Sequence, residues 1–495
     1  MTDSARPPAA EPVTVFRREL RLLDATMLVV GSMIGSGIFI VSADIARTVG
    51  SPGYLLIVWL ITGLVTVTAA LSYGELAGMM PHAGGQYVYL REAYNPLVGF
   101  LYGWTLFLVI QTGTIAAVAV AFAKFTAVLV PSAGEDNVLV SIAGLPVSAA
   151  QLVGIASILL LTALNMRGIG VGRMVQNIFT SAKTAALLGL ILLGLVIAWN
   201  PAAISANAEV FWETIRVRAA EGGGVSIESL SGLALVAAIG VAMVGSLFSS
   251  DAWNNITFTA GEVVNPRRTI PLSLALGTGL VILLYLLANI SYILILPLRG
   301  TPEAADVLGR GIQFAAQDRV GTAAATQMFG APAAVIMGIL IMISTFGCNN
   351  GLILSGARVY YAMARDGLFF AGTGVLNRKG VPAIALGVQA IWASVLCLTG
   401  TYGDLLDYVI FAVLIFYILT VGGIFILRRT QPDADRPYRA VGYPLLPALY
   451  VFAAAAIAVD LLILKPRYTW PGVVIVLLGI PAYYLWRSFA ASKRR

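Results

Sequence analysis

A run of small residues inside an apolar segment is the first feature of this chain that could do chemistry. Gly31-Ser32-Met33-Ile34-Gly35-Ser36-Gly37-Ile38-Phe39 lies within residues 22–48, which are long enough to cross a bilayer at roughly 1.5 Å per residue. Glycine costs about 1 kcal/mol relative to alanine inside a helix, so we expect the helix to unwind at Gly35 to Gly37. A broken helix offers amide N–H groups on one side and carbonyls on the other. Such a break at membrane depth predicts a site for a small zwitterion.

A second stretch repeats the first one and adds an acid. Val244 to Asp251 aligns without a gap to Val30 to Gly37, with four of eight residues identical. A carboxylate at bilayer depth is costly, so Asp251 is a candidate ligand for a substrate ammonium, directly or through water. The alternative is that Asp251 only caps the half-helix that follows it. Both interpretations stay open at the level of sequence.

Lys183 is the third candidate, because it lies about nine residues into the apolar segment 174–199, too deep to reach the interface easily. An ammonium at that depth needs carbonyl or carboxylate partners, and the carbonyl end of a broken helix supplies them. The alternative is that Lys183 extends along the helix towards the interface. For Lys124, near the end of its segment, that second interpretation is favoured.

The elements that position these residues are membrane helices. The chain has 495 residues, of which 59% are hydrophobic and only 11% charged, so it is not a soluble domain. The pattern predicts an all-α integral membrane protein with twelve transmembrane helices. The predicted spans are 22–48, 53–79, 97–130, 149–166, 174–199, 231–260, 270–297, 331–364, 382–400, 404–427, 444–463 and 470–487.

Basic residues indicate the orientation of these spans. Of the 31 Lys and Arg residues, 21 are assigned to the side of the N-terminus, including Arg358 and Arg487 near the ends of their spans, seven to the other side and three to the remaining span interiors. By the positive-inside rule we expect both termini in the cytoplasm of a multi-pass protein of the cell inner membrane. The net charge of +7 is then loop charge, and we expect no nucleic-acid partner.

Catalytic and metal-binding motifs are lacking in the sequence. It contains no HExxH, no Walker loop and no paired cysteines, and Cys348 and Cys397 both lie in apolar segments. We therefore expect no cofactor, no metal, no catalytic residues and no enzymatic activity.

The two glycine-serine stretches also predict a repeat. Five spans separate the starts of spans one and six, an odd number, so the two helices cross the membrane in opposite directions. This arithmetic is typical of an inverted repeat of five plus five helices with interrupted helices facing a midplane site. In the outer loop 298–330, the patch Gln313 to Ala316 is expected to form lid helices.

Several motifs, spread over nearly the whole chain, resemble the APC (amino acid-polyamine-organocation) superfamily and, within it, the L-amino acid transporter (LAT) family. The motifs are Gly31 to Phe39, Phe179 to Lys183, Trp253 to Asn255, Gly261 to Pro266, Asn350-Gly351 and Ala362 to Gly367.

The resemblance implies a LeuT-type fold with discontinuous helices 1 and 6. The implied units are an N-terminal tail 1–21, a first repeat 22–199, an extracellular loop 200–230, a second repeat 231–427, peripheral helices 428–487 and a C-terminal tail 488–495.

The resemblance also implies a substrate site. The substrate carboxylate would meet amides around Gly35, Ser36 and Gly37, and Phe248 would be a gate residue. Lys183 would take the place of the second sodium ion of sodium-coupled relatives. Carbonyls near Met33, Ile34, Phe248 and Asp251 would bind the amine, and Ile38, Ser249 and Trp253 complete the expected set.

The expected function is sodium-independent transport of neutral L-amino acids by alternating access, as exchange or facilitated uptake. The alternative within this class is a carrier for cationic amino acids or polyamines, with or without proton coupling, because the Asp251 carboxylate can bind a cation. From other classes, a channel and a membrane-bound enzyme remain. Expected partners are the amino acid and membrane lipid.

The chain departs from the family at two places. Ala252 stands where members often have glycine before the tryptophan of span six, and its methyl group narrows the expected pocket. Animal members that pair with a single-span glycoprotein carry a cysteine in the loop between spans three and four. Residues 131–148 contain none, so we expect no covalently linked subunit.

Overall fold

A computed structural model describes residues 16–142, 145–219, 224–399 and 402–492, and these are mostly helical. Within these ranges, eleven helices are long and apolar enough to cross a membrane. The predicted ninth span is the apolar helix Ala383–Thr399, which at 17 residues is shorter than the other eleven. The protein is thus a multi-pass helical membrane protein.

The helices are α1 Leu22–Met33, α2 Gly37–Ile40, α3 Ser42–Val49, α4 Pro52–Met79, α5 Gln86–Ala93, α6 Pro96–Thr105, α7 Gln111–Leu129, α8 Ala149–Met166, α9 Ile169–Val196, α10 Pro201–Glu209, α11 Gly232–Ser249, α12 Asn255–Phe258, α13 Pro266–Ile295, α14 Val307–Arg310, α15 Val320–Phe329, α16 Pro332–Arg365, α17 Ala383–Thr399, α18 Tyr402–Thr430, α19 Leu445–Leu464 and α20 Pro466–Ser492. A π-helix, Leu106–Ile110, joins α6 to α7. Two antiparallel hairpins pair β1 Val138–Ile142 with β2 Leu145–Ser148, and β3 Ile215–Ala219 with β4 Val225–Ser229.

Several helices begin with the same local signal, a polar cap followed by proline. The Ser51 hydroxyl accepts a hydrogen bond from the Tyr54 amide (3.4 Å), and the Asn95 side chain accepts one from the Val98 amide (3.0 Å). The next residue in each case is proline, which has no N–H to satisfy and whose fixed φ suits the first helical position. These caps place the starts of α4 and α6.

The first span is broken. Helix α1 ends at Met33, Ile34 is extended with φ −74° and ψ 97°, and α2 begins at Gly37. The non-helical residues are therefore 34–36, one residue before the predicted Gly35 to Gly37. The reason is that side chains from other helices bind the Ile34 carbonyl, which consequently does not continue the helical ladder.

The sixth span is broken as well. Helix α11 ends at Ser249 and α12 begins at Asn255, so Asp251 lies in the non-helical segment between them. Ala252 in this segment has φ +66°, a left-handed conformation that residues with a Cβ rarely adopt.

The two broken spans run in opposite directions. Gly245, before the second break, packs on Val41, after the first one. At the other end, the Glu262 carbonyl accepts hydrogen bonds from the amides of Glu19 and Leu20 (2.9 Å each). We call the side of the membrane on which Glu19 and Leu20 lie the N-terminal side, and the opposite side the far side.

The loops and the C-terminus contain helices and strands whose positions the sequence did not predict. Loop 200–230 contains α10 and the β3–β4 hairpin. The patch Gln313 to Ala316 is mostly turn, and the lid helices α14 and α15 flank it, because the patch residues bond back to Leu298 and Arg310. Helix α20 continues to Ser492, into the expected C-terminal tail, while residues 1–15 of the N-terminal tail and 493–495 lie outside the described residues.

Candidate functional site

The two helix breaks lie directly against each other. A Cβ on Gly37 would lie 2.1 Å from the Ser249 hydroxyl and 3.1 Å from the Ser249 Cα, so only glycine fits there. The Tyr285 hydroxyl of α13 lies within hydrogen-bonding distance of two carbonyls, Met33 O (3.0 Å) and Ser249 O (3.1 Å). These are the last residues of α1 and α11. One phenol thus joins the carbonyl ends of both broken helices.

Lys183 lies at the junction of α1, α9 and α16. It is 1% exposed, and its ammonium donates to the carbonyls of Gly31 (2.6 Å), Ile34 (2.6 Å) and Ser344 (3.2 Å). An ammonium has three donors, so these three carbonyls can satisfy it completely. The geometry argues against the alternative in which Lys183 extends to the interface.

Two side chains of α16 also bind the first break. The Ser344 hydroxyl lies 2.9 Å from Gly35 O and 3.3 Å from Ile34 O, and the Cys348 thiol donates to Ser32 O at 3.0 Å. A carbonyl oxygen has two lone pairs, and Ile34 O already faces both Lys183 and Ser344. Ile34 therefore has less capacity for a substrate amine than the sequence suggested. Sequence reasoning missed Ser344, which lies 310 residues from Ile34.

Asp251 faces a tyrosine. The Tyr417 hydroxyl of α18 donates to Asp251 Oδ1 at 2.6 Å, and the Asp251 amide donates to Phe248 O at 3.2 Å. Helix α12 begins four residues later and has Asn254 at its N-cap position. Asp251 therefore does not occupy the N-cap position of α12, and its carboxylate meets Tyr417 of α18. Its role as a substrate ligand or as a helix cap stays a prediction.

A narrow cavity lies on the N-terminal side of the breaks, between α7, α12, α16 and α18. Its free volume is about 10 Å³, close to what a single water molecule needs. Asp251, Gln111 and Tyr417 line it, and the π-helix contributes Leu106 and Ile110. Local π-helical turns are frequent at functional sites, and no sequence pattern predicted this one.

Gln86 closes this cavity towards the N-terminal side. Its amide donates to the Thr420 hydroxyl (3.0 Å) and accepts from Asn254 Nδ2 (3.0 Å), so it joins α5, α12 and α18. Sequence reasoning did not select Gln86 as a site residue. The feature that could have indicated it is its position directly after Gly84-Gly85, a pair with positive φ (102° and 44°) that turns the chain into α5.

A second small cavity, of about 20 Å³, lies behind Asp251 and shares Tyr417 with the first one. Trp253 lines it and packs edge-on against Tyr73, with ring centroids 4.7 Å apart. Trp253 therefore supports the Asp251 segment from the side opposite to the first cavity. Thr66, Ser250 and Tyr450 also line this second cavity.

The remaining expected residues occupy the two breaks. Ser36 and Ile38 are buried at the start of α2, and Phe248 is buried in the last turn of α11. A Cβ on Gly35 would lie 3.3 Å from the Cys348 sulfur, so the first break has little spare room. Among the described residues, no group of three or more His, Cys, Asp or Glu is placed to hold a metal ion.

Comparisons with known proteins agree on one family. The sequence model of the amino acid permease family matches residues 20–482. The b(0,+)-type amino acid transporter 1 of Mus musculus is 28% identical over 476 residues, which cover 96% of this chain and 88% of that protein. The large neutral amino acids transporter small subunit 2 of Homo sapiens is 30% identical over 473 residues, which cover 95% of this chain and 80% of that protein.

Proposed function

Because this chain belongs to the amino acid permease family of the APC superfamily and transports amino acids, we propose that it carries neutral L-amino acids by alternating access, without sodium. The observation that carries this proposal is the contact between the two helix breaks, joined by Tyr285. A zwitterion bound there meets helix-start amides on one side and helix-end carbonyls on the other.

The substrate carboxylate is proposed to bind amides around Gly35, Ser36 and Gly37, where α2 begins. The first amides of a helix have no partner within it and attract anions. The ammonium is proposed to bind near Met33 O and the Asp251 carboxylate, since Ile34 O already faces two protein donors. Phe248 is proposed as the gate residue.

Lys183 supports transport without sodium. Its ammonium is a cation held covalently at the carbonyl end of α1, where it contacts Gly31, Ile34 and Ser344. A bound metal ion with oxygen ligands would need these same carbonyls. We therefore propose that the lysine charge permanently holds the break in place of an ion.

Closure on both sides supports alternating access. On the far side, Arg47 makes a two-point contact with Asp318 (2.7 and 3.1 Å) and bonds the Gln313 carbonyl (2.7 Å). On the N-terminal side, Gln86 closes the cavity. An amino acid cannot enter a cavity of about 10 Å³, so one of these closures has to open first.

The membrane and the orientation are part of the proposal. We propose that the protein lies in the cell inner membrane. We also propose that its N-terminal side faces the cytoplasm, as the distribution of Lys and Arg indicates. We further propose that no subunit is linked covalently and that the protein catalyses no chemical conversion. Membrane lipid is its proposed surrounding partner.

One observation favours a second substrate class. The Asp251 carboxylate lines both small cavities, so a cationic side chain reaching either cavity would meet it. The alternative function is therefore a carrier for cationic amino acids or polyamines, with or without proton coupling.

Counterflow in proteoliposomes tests the proposal. Vesicles preloaded with each of the amino acids in turn take up labelled substrate, with and without sodium and with and without a pH gradient. We expect accumulation with neutral amino acids that sodium does not change. A sodium requirement would contradict the role of Lys183, and exchange restricted to cations would favour the alternative.

Asp251→Asn separates the two substrate classes. The change keeps the shape of the side chain and removes its charge. We therefore expect the apparent affinity for cationic substrates to fall about tenfold or more, and the affinity for neutral substrates to fall less. Uptake in competition with a neutral and with a cationic amino acid measures both affinities. Tyr417→Phe serves as the control, because it removes the hydrogen bond to Asp251 but leaves the carboxylate charge in place. Equal losses for both classes would show that the charge does not select substrate.

A further inference from the structure

An apolar groove of about 320 Å³ opens on the surface of the helix bundle, away from the candidate substrate site. It lies between the second half of α9, the lid helix α15 and the start of α16. Its ten lining residues are all apolar, among them Gly189, Leu193, Phe329, Met337 and Leu340. The groove therefore suits a ligand without charges or hydrogen-bonding groups.

The depth of the groove follows from the course of α9. This helix starts on the N-terminal side, where the Arg173 guanidinium bonds the Glu19 carbonyl (3.1 Å), and it reaches the level of the helix break at Lys183. Gly189 lies six residues further on, about 9 Å beyond the break. The hydrocarbon core extends about 15 Å from its midplane, so the groove opens into the far leaflet.

The surroundings of the groove are continuous with the surface that faces lipid. Leu192 is 51% exposed and Ile336 59% exposed beside it, which in a membrane means contact with acyl chains. At Gly189 the groove has open space, since no described atom lies within 4 Å of an added Cβ. Roughly 150 Å³ of apolar space already binds benzene, so a larger apolar space is filled by whatever apolar group surrounds it.

We propose that this groove binds one acyl chain of a far-leaflet membrane lipid, and that the chain holds α15 against α9 and α16. A helix of a second copy or of another protein is about 10 Å across and does not enter a groove of this size. An acyl chain is narrow and already present at this depth. Under the proposed orientation this is the outer leaflet.

The bound chain acts on the far-side closure through α15. Gly321 at the start of this helix packs against Phe39, with a distance of 2.7 Å from an added Cβ to the Phe39 ring. Just before the helix, the Arg319 guanidinium bonds the Lys124 carbonyl (2.9 Å). Ala325 and Phe329, further along α15, line the groove. Lipid thus supports the helix from one side while α2 and α7 support it from the other.

Photo-crosslinking tests this site. The full-length protein is reconstituted with a phosphatidylcholine that carries a diazirine in the middle of its acyl chain, and labelled peptides are quantified by mass spectrometry. Gly189→Leu places a side chain in the groove, at a position where an added Cβ meets no described atom within 4 Å. Gly279→Leu in α13 is the matched control, because an added Cβ there also meets no described atom within 4 Å.

We expect labelled peptides from α9, α15 and α16 in the wild type and in Gly279→Leu. In Gly189→Leu their labelling falls about tenfold, the factor expected for loss of roughly two buried methylene contacts. Labelling of α13 peptides, which should be equal in the wild type and in Gly189→Leu, reports that this variant is folded, and retained groove labelling reports the same for Gly279→Leu. Equal groove labelling in wild type and Gly189→Leu, or labelling only outside the groove, would overturn the proposal.

Discussion

Ala252 is a residue whose backbone does not match its type. It has φ +66° between the candidate ligand Asp251 and the buried Trp253, and its methyl group lines the first cavity. A left-handed conformation costs a residue with a Cβ roughly 1 kcal/mol. Glycine would avoid this cost, which gives a physical reason for the glycine that family members often have there.

Ala252→Gly should widen the cavity at little cost in stability. The relief of strain offsets the greater freedom of glycine in the unfolded chain, so we expect a stability change within about 0.5 kcal/mol. Transport should shift towards larger neutral side chains, as measured by competition with a small and a large amino acid. Ala260→Gly, nearby and without positive φ, is the control and should lose about 0.5–1 kcal/mol. An unchanged size preference would contradict this prediction.

Lys183→Met should abolish or strongly impair transport. Methionine has a similar length but no donors, so the carbonyls of Gly31 and Ile34 lose their buried partner, at about 1–3 kcal/mol. Uptake in proteoliposomes with and without sodium measures the effect, and sodium alone should not restore the rate. Lys124→Met, the other membrane lysine in a helix that lines the site, should retain near-normal uptake.

The close contact between helices α2 and α11 at the two breaks can be tested by substitution. Gly37→Ala should abolish transport, because the new methyl group would lie 2.1 Å from the Ser249 hydroxyl. Adding Ser249→Gly removes that hydroxyl and its Cβ, and the closest remaining contact is the Cα at 3.1 Å. The double variant should therefore recover part of the uptake. If the second change fails to rescue, the two breaks do not pack as described.

The elements were predictable to the extent that local composition determines them. Glycine and serine indicated both breaks, and the depth of Lys183 indicated that it needs carbonyl partners. The partners themselves were not predictable, because Tyr285 lies 252 residues from Met33 and Ser344 lies 309 from Gly35. The first break starts one residue early for the same reason, since its position depends on these distant side chains.

Lid helices illustrate the same limit. From the sequence we expected lid helices at the patch Gln313 to Ala316, whereas α14 and α15 lie on either side of that patch. Gln313 instead donates to the Ala46 carbonyl (3.1 Å). Its role depends on a contact with α3 that no local pattern encodes.

At the scale of the molecule, helical membrane architecture followed from hydropathy alone, and it agrees with the LeuT-type fold that the family resemblance implied. The domain boundaries and the five-plus-five repeat stay predictions, supported by the opposite directions of the two broken spans. Hydropathy could not predict the buried ion pair of Glu262 with Arg358 (2.8 Å), because each charge is tolerated in the protein interior only when its partner is beside it. The two residues are 96 positions apart in the sequence, so no local pattern pairs them.

The contact between Arg47 and Asp318 is expected to control how often the far side of the protein opens. Asp318→Asn removes the charge that binds Arg47, and a partly exposed pair contributes about 0.5–1 kcal/mol. We expect the far side to open two- to fivefold more often. Cys348, beside the first break, is a natural reporter once Cys397 is changed to serine. Its labelling by a membrane-impermeant thiol reagent from the far side should rise by the same factor.

Asp44→Asn is the matched control for that experiment. Asp44 contacts the same guanidinium at 3.8 Å but is mostly exposed, so its loss should change the labelling rate little. Equal acceleration in both variants would mean that the charge of Arg47, and not its contact with the lid, controls access.

The Tyr285 hydroxyl links the two broken helices through a single donor. A phenol carries a single hydrogen atom, yet the Tyr285 oxygen lies nearly equidistant from Met33 O and Ser249 O, one on each broken helix. The hydrogen can point fully at only one of them at any instant, and it switches by a rotation of the C–O bond. The hydroxyl is thus a shared link between the two broken helices, and a movement of one half-helix away from the other has to lengthen at least one of these two contacts. We expect Tyr285→Phe to remove this link and to let the two halves move more independently.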